Sequence, residues 1–465
     1  MFLGVLLERI DCYESVLDRR TPSRYPFLVN LHPVLRDKLE SGILPVREGG
    51  LTPRDVRLPD VPNKVHAVIG MRRVGKSTYL RQLQAEHQRT GPPERAVYVS
   101  FDDDRLAELT LAELDALLEE YYRNFPQWRG QALVHWLFDE IQLVADWERF
   151  VRRIMDTERV RVVVSGSSAR LLSREVHTSL RGRGWETVIR PFSFREFLRH
   201  RGEEPHKPAR RLTAAERSAV EKRFREYLVE GGFPEAQGMA LPMREALVQG
   251  YVDTLLLRDV VERYQVTQVA ALRWLARHCL RNPGGLFSVH RLYLDLKAQG
   301  HSVAKDTLHN LFGYLTDAFL ISAVPLATDS ERRRNSNPRK VYPADPVLIG
   351  AFDRSGRTNF GHALETMVFH ELARRGAEVG YVKTAEGLEV DFYARLPGDG
   401  QALIQVCANA VQKNTLDREL RALDLAGREY PKAERLLLVL DWNQARSVPA
   451  KGVAVRPACE WLLEE

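Results

Sequence analysis

Residues 70–78 read Gly-Met-Arg-Arg-Val-Gly-Lys-Ser-Thr, in which two glycines bracket four residues and Lys-Ser follows at once. That spacing suits the cradling of a polyphosphate. Gly70 and Gly75 permit backbone angles closed to other residues, so the N–H groups of Met71, Arg72, Arg73 and Val74 can curl around phosphate oxygens. Lys76 would reach the β- and γ-phosphates, and the Ser77 hydroxyl would hold Mg²⁺. Thr78 continues a helix start whose positive end faces the same anion. The expected ligand is a nucleoside triphosphate, ATP, with Mg²⁺.

A second set closes the apolar run 133–138, which ends in Asp139 and Glu140. Asp139 would hold Mg²⁺ through water, and Glu140 would polarise the attacking water. A third run, 160–165, ends at Gly166-Ser167-Ser168, where Ser167 serves either as a sensor of the γ-phosphate or as a helix cap. Further on, Leu180-Arg181-Gly182-Arg183 offers Arg181 and Arg183 as arginine fingers for a neighbouring subunit, or else as a solvated basic turn. Arg258 would sense phosphate from a helix, or simply pair with Glu262 one turn away.

These residues need a scaffold, and the surrounding pattern supplies one. Apolar runs at 65–69, 96–101, 133–138, 160–165 and 187–190 alternate with helical stretches at 77–86, 111–122 and 147–155, the rhythm of a parallel α/β sheet. Phosphate-binding loops belong at the carboxyl ends of such strands. The chain then divides into a leading segment (1–60), the P-loop core (61–205) and a helical lid (206–268). A winged helix (269–352) and a second α/β unit (353–465) follow.

Within 269–352, helices are expected at 270–280, 289–298 (capped by Ser288) and 304–318, with a turn at Gly300 and strands near 320–326 and 340–342. Between those strands, residues 331–340 are polar, turn-forming and basic. Arg332, Arg333, Arg334, Arg339 and Lys340 would lie against a DNA backbone, although such a module also serves protein contacts. In the last unit, Glu365 stands on a helix, Glu389 and Asp391 on one strand, and Gln405 and Cys407 on the next. This layout resembles a Mg²⁺-dependent nuclease of the PD-(D/E)xK kind. Gln405 and Cys407 stand where that class needs an acid and a lysine, so the expectation is a degenerate site that has lost cleavage.

Composition sets wider bounds. The 465 residues are 44% apolar, enough for several ordinary cores, and carry a net charge of +6. Four scattered cysteines, without C-x-x-C spacing, suggest neither a disulfide framework nor a zinc site. The apolar start meets Glu8 and Arg9 after seven residues, without a basic leader. A cytoplasmic protein with no membrane association is expected.

The ordered motifs are Gly70 to Thr78, Phe138-Asp-Glu-Ile-Gln142 with Trp147, Ser165 to Ser168, Leu180 to Arg183, Pro191-Phe-Ser-Phe-Arg-Glu-Phe197 and Gly231-Gly-Phe-Pro-Glu235. From about 60 to 460 they resemble a prokaryotic family of AAA+-type ATPases with a winged helix and a C-terminal restriction-endonuclease-like domain, long uncharacterised. The resemblance implies an α/β fold: a P-loop AAA+ parallel sheet with a helical lid, then a winged helix and a nuclease-like α/β domain. Relatives carry Glu-x-Lys on the last nuclease strand, and Gln405-Val-Cys407 departs from it. The expected function is an ATP-hydrolysing protein that remodels or translocates duplex or branched DNA in recombination or repair, with Holliday junctions among the candidate substrates. It would act as a homo-oligomer, with a hexamer as one candidate. The alternatives are a nucleotide-controlled signalling or defence switch with a protein partner, and an ATP-dependent nuclease.

Overall fold

Five short runs, four of them strongly apolar, assemble the first sheet. Strands β1 (Val65–Ile69), β2 (Ala96–Ser100), β3 (Val134–Asp139), β4 (Val160–Gly166) and β5 (Gly184–Val188) lie in the order β2-β3-β4-β1-β5, all parallel. Strands covered on both faces read as unbroken apolar runs, as in the Val-His-Ala-Val-Ile of β1. The covering helices include Lys76–Thr90, Leu111–Asn124 and Trp147–Thr157. Tyr121, Trp136, Phe138 and Phe150 fill the core on one side. This is a computed structural model, and it describes residues 31–46, 49–166, 180, 182–300, 302–353, 359–449 and 451–464.

The strand expected at 187–190 begins earlier, because parallel pairing with β1 opens at Val65 opposite Gly184 and reaches Ile69 opposite Val188. The β1 ladder sets the register, and the apolar run does not. The helical stretch 206–268 is divided. Helix Ala214–Glu230, started by a Thr213/Glu216 capping box, buries Phe224 and Tyr227 in a core shared with helix Phe360–Arg374. Helix Leu241–Thr254 and the π-helical Leu255–Glu262 instead join Val68, Met71 and Val74 beside the phosphate loop.

Three helices, Val269–Arg281, Val289–Ala298 and Lys305–Asp317, pack with an antiparallel sheet of β6 (Leu286–Phe287), β7 (Ile321–Val324) and β8 (Arg339–Pro343), in the order β6-β8-β7. β6 is too short to show in the sequence. Ser288 occupies the cap position, but its side chain makes no cap bond. Residues expected as an open turn instead form a short helix, Glu331–Ser336, capped by Ser330.

The last sheet is mixed: β9 (Glu378–Lys383), β10 (Glu389–Arg395) and β11 (Gln401–Cys407) are antiparallel, whereas β12 (Glu434–Val439) and β13 (Ala454–Pro457) run parallel to β11. Alternation sends Phe392, Ile404 and Leu438 toward helix Phe360–Arg374. Leu403, Leu437 and Val439 face helix Lys413–Glu429.

Candidate nucleotide site

The phosphate loop leaves the carboxyl end of β1 and runs into helix Lys76–Thr90. Gly75 sits at φ +94°, and a Cβ on Gly70 would lie 2.2 Å from the carbonyl oxygen of Ile189, so both glycines are required. Arg73, at φ +67°, holds a left-handed conformation that costs a side-chain-bearing residue energy. Met71 and Val74 are buried anchors of the loop. The Lys76 ammonium turns back into the loop and donates to the carbonyls of Gly70 and Met71, both at 3.1 Å. Burial lowers its pKa, against the opposing pull of Glu140 and Asp139. Ser77 and Thr78 lie exposed on the first turn.

Asp139, at the end of β3, is buried with both oxygens engaged. Tyr98 on β2 donates to Oδ2 at 2.6 Å, and Ser165 on β4 donates to Oδ1. Glu140 follows in a left-handed conformation, φ +53°, which turns the chain at the strand end. Its N–H donates to the Ser165 oxygen at 3.2 Å, and its carboxylate accepts from Gln142. The structure thus brings Lys76, Ser77, Asp139 and Glu140 to one edge of the sheet. ATP and Mg²⁺ fit this donor set: a left-handed glycine loop, a buried ammonium, an exposed serine hydroxyl and an oriented carboxylate.

Sequence reasoning missed Tyr98 and Ser165, which stand on the two strands flanking β3. It also missed the partners that hold the loop arginines. Arg72 donates to Asp259 at 2.7 Å. Arg73 lies 3.7 Å from Glu235 in the Gly-Gly-Phe-Pro-Glu motif. Arg54 donates at 3.0 Å both to the Val74 carbonyl and to Glu196.

The remaining expectations divide. Ser167 and Arg181 lie outside the described residues. Arg183 precedes the amino end of β5, the opposite end from the phosphate loop, and pairs with Asp156 at 2.5 Å. Arg258 is exposed and pairs with Glu262 at 3.1 Å. Arg332, Arg333 and Arg339 are exposed, and Arg334 is 3.5 Å from Glu378.

Lys340 must be corrected. It is 1% exposed, and its ammonium lies 3.0 Å from Glu365, 2.8 Å from Glu389 and 2.8 Å from Asp391. Alternation along β8 turns it inward, away from Arg339 and away from any DNA backbone. Burial alone would lower its pKa, but Asp391, Glu365 and Glu389 outweigh burial and raise it. Burial and Asp391 push Glu365 up to about 7. Glu365, Glu389 and Asp391 therefore converge around an ammonium brought by another sheet. Gln405 accepts from the Asp391 N–H at 3.2 Å and donates to Glu419 at 2.5 Å. Cys407 is buried in the core on the helix Lys413–Glu429 face.

Fold and site together define a P-loop domain of the AAA type. Residues 62–198 match the AAA domain family, and residues 221–358 match a domain of unknown function (DUF8612). The chain belongs to the family of the uncharacterized protein MJ1544 of Methanocaldococcus jannaschii, to which it is 30% identical over 400 residues, 84% of this chain and 85% of that protein. An uncharacterized protein of Haemophilus influenzae is 28% identical over 393 residues, 81% of this chain and 94% of that one. Among solved structures, the Walker-type ATPase PABY2304 of Pyrococcus abyssi is 18% identical, covering 69% of this chain and 95% of that one, with a TM-score of 0.36. The Aeropyrum pernix ORC1 protein, solved in complex with DNA, is 16% identical, covering 70% and 94%, with a TM-score of 0.28. No helix among the described residues is long and apolar enough to cross a membrane.

Proposed function

We propose that this chain is an ATP-hydrolysing protein that binds and remodels or translocates duplex or branched DNA as a homo-oligomer. The observation that carries the reading is the meeting of Lys76, Ser77, Asp139 and Glu140 at one strand edge, with Asp139 aligned by Tyr98 and Ser165. Lys76 and the loop N–H groups would hold the β- and γ-phosphates, while Ser77 and Asp139 would hold Mg²⁺, which when bound would supply charge neutralisation of the transferring phosphoryl group. Glu140 takes the proton of the attacking water, released from Gln142 when it does so. Arg183, remote from its own loop, is assigned to a neighbouring subunit's site.

DNA binding is supported by Arg332, Arg333 and Arg339, which are exposed and make no ion pair among the described residues. Nuclease activity is not part of the proposal. The Lys340 ammonium takes one oxygen from each of Glu365, Glu389 and Asp391 and already seats a positive charge among them. The deciding experiment is the ATPase rate with no DNA, duplex and four-way DNA, on the parent and on Arg332→Glu with Arg333→Glu. Stimulation by DNA that the double variant loses is expected. A slow rate indifferent to every DNA would sink the DNA reading and leave a nucleotide-controlled switch.

A further inference from the structure

Behind the phosphate loop lies a cavity of about 490 Å³, between the β5 exit, the segment around Arg54 and the C-terminal helix Phe360–Arg374. Six arginines and five carboxylates line it. Most of these charges satisfy one another. Arg54 donates to Glu196 at 3.0 Å, Arg199 reaches Asp55 at 2.7 Å and Glu204 at 2.6 Å, and Arg375 reaches Glu371 at 3.0 Å. Arg374 donates to the Pro191 carbonyl at 2.8 Å and lies 3.7 Å from Glu371.

Arg190 is the exception. Among the described residues its guanidinium makes neither an ion pair nor a hydrogen bond, and the nearby Arg374 charge repels it. Burial and that repulsion push its pKa down to about 10. Arg190 is half-buried and lines the cavity, so an anion entering there relieves its repulsion from Arg374. His370, buried beside the same two arginines, is kept neutral by burial and by both charges, and offers no counter-ion.

We propose that this cavity is an anion-binding site, with Arg190 as principal ligand and Arg374 as second charge, and that its occupant is a phosphoryl group, free or carried on a nucleotide. Two adjacent guanidinium groups suit a dianion with three oxygens better than a single carboxylate, and the planar fork binds phosphate oxygens in pairs. The volume exceeds what one carboxylate needs and lies within the range of small-molecule sites. The site is also wired to the loop in front of it. The Arg190 carbonyl accepts from Arg54 at 2.5 Å, and Arg54 donates in turn to the Val74 carbonyl.

The test uses the full chain and titration calorimetry with inorganic phosphate on the parent, Lys76→Ala and the double variant Lys76→Ala with Arg190→Met. Lys76→Ala removes phosphate binding at the nucleotide loop and so isolates this cavity. Phosphate should bind the parent and Lys76→Ala, and adding Arg190→Met to Lys76→Ala should weaken that binding by about tenfold or more. Repeating the titration on Lys76→Ala with ADP separates the two sources: tighter binding than phosphate identifies a nucleotide, and equal or weaker binding a free phosphate. Stability supplies a second reading. In phosphate-free buffer the double variant should melt at or above Lys76→Ala, because it relieves a repulsion, and added phosphate should raise only Lys76→Ala. Phosphate binding lost with Lys76→Ala, or retained in the double variant, overturns the proposal. So does a destabilised double variant whose melting shifts with phosphate as that of Lys76→Ala does. Citrate binding as tight as phosphate overturns the choice of ligand.

Discussion

Replacing Lys340 with methionine removes an ammonium and keeps the length of the side chain. The three carboxylates around it are unequally buried: Glu365 and Asp391 are 14% and 12% exposed, and Glu389 is 36% exposed. Only the first two are sheltered enough to count in full, because water screens the third. Removing one partner of a buried ion pair costs about 3–5 kcal/mol, and relief by proton uptake brings the expectation toward the lower figure. That relief fixes a pH signature. Glu365 already sits at about 7 while Lys340 holds it down, so in Lys340→Met it moves higher still and keeps its proton through neutrality. The loss of stability therefore grows as pH rises above about 7, where the parent's Glu365 is ionised and paired while the variant's still holds a proton that the unfolded chain has released. Urea unfolding of parent and variant on either side of neutrality measures it. A difference below about 1 kcal/mol, or one independent of pH, would refute the buried-cluster reasoning. The variant should also keep the parent's DNA affinity, whereas Arg332→Glu with Arg333→Glu weakens binding and flattens its salt dependence. Equal losses would return Lys340 to the DNA-facing surface.

Three further outcomes follow. Lys76→Ala should lose nucleotide binding, while Glu140→Gln should keep ATP bound and slow turnover by about 10²–10⁴-fold; equilibrium binding and single-turnover rates separate the two, and normal hydrolysis by Glu140→Gln removes it as the base. Tyr98→Phe deletes the 2.6 Å bond that orients Asp139, so the Mg²⁺ concentration for half-maximal ATPase should rise about 10–100-fold; an unchanged requirement would mean that Asp139 needs no such support. Asp345 is fully buried, accepts from the Gly232 and Val347 N–H groups, and is pushed by burial up to about 7. Its carboxyl ionises in the unfolded chain near 4, so the parent loses up to about 4 kcal/mol between about pH 4 and 7. Asp345→Asn, offset by one lost hydrogen bond, should gain on the parent over that interval in thermal unfolding, and a constant gap would exclude the titration.

The sequence made the phosphate loop and Walker acids legible because their chemistry is local: two glycines, a lysine and a strand-end Asp-Glu do their work within a few residues of one another. Tyr98 and Ser165 were not legible, since they join Asp139 only when β2 and β4 pair on either side of β3. Lys340 was misread for a related reason. Most of the other charged residues in the stretch 331–340 are solvent-facing, and only the alternation of β8, whose length depends on pairing with β6 and β7, turns this lysine inward. The shift of β5 has the same origin in a partner strand. Arg190 gives no sequence signal at all, because its lack of a partner is a property of the cavity and not of its neighbours in the chain.

Arginines, beside the apolar anchors Met71 and Val74, connect the phosphate loop to the rest of the molecule. Arg54 binds the loop carbonyl of Val74 and the capping glutamate Glu196, which also starts helix Phe194–His200. Arg72 and Arg73 reach Asp259 and Glu235 on the helical segments that follow the sheet. Each tie joins the loop to a different element, and each ends on a carboxylate. The loop's left-handed Arg73 and glycine-dependent path are unfavourable in isolation. They persist because these charges fix the loop from three sides while its N–H groups stay free for phosphate. An apolar residue at position 54, 72 or 73 could fill the same volume, but it could not bond to a carboxylate on another element. The local charge of the loop is thus spent on position as well as on the ligand, which explains why three arginines attend a loop that needs one lysine for its chemistry.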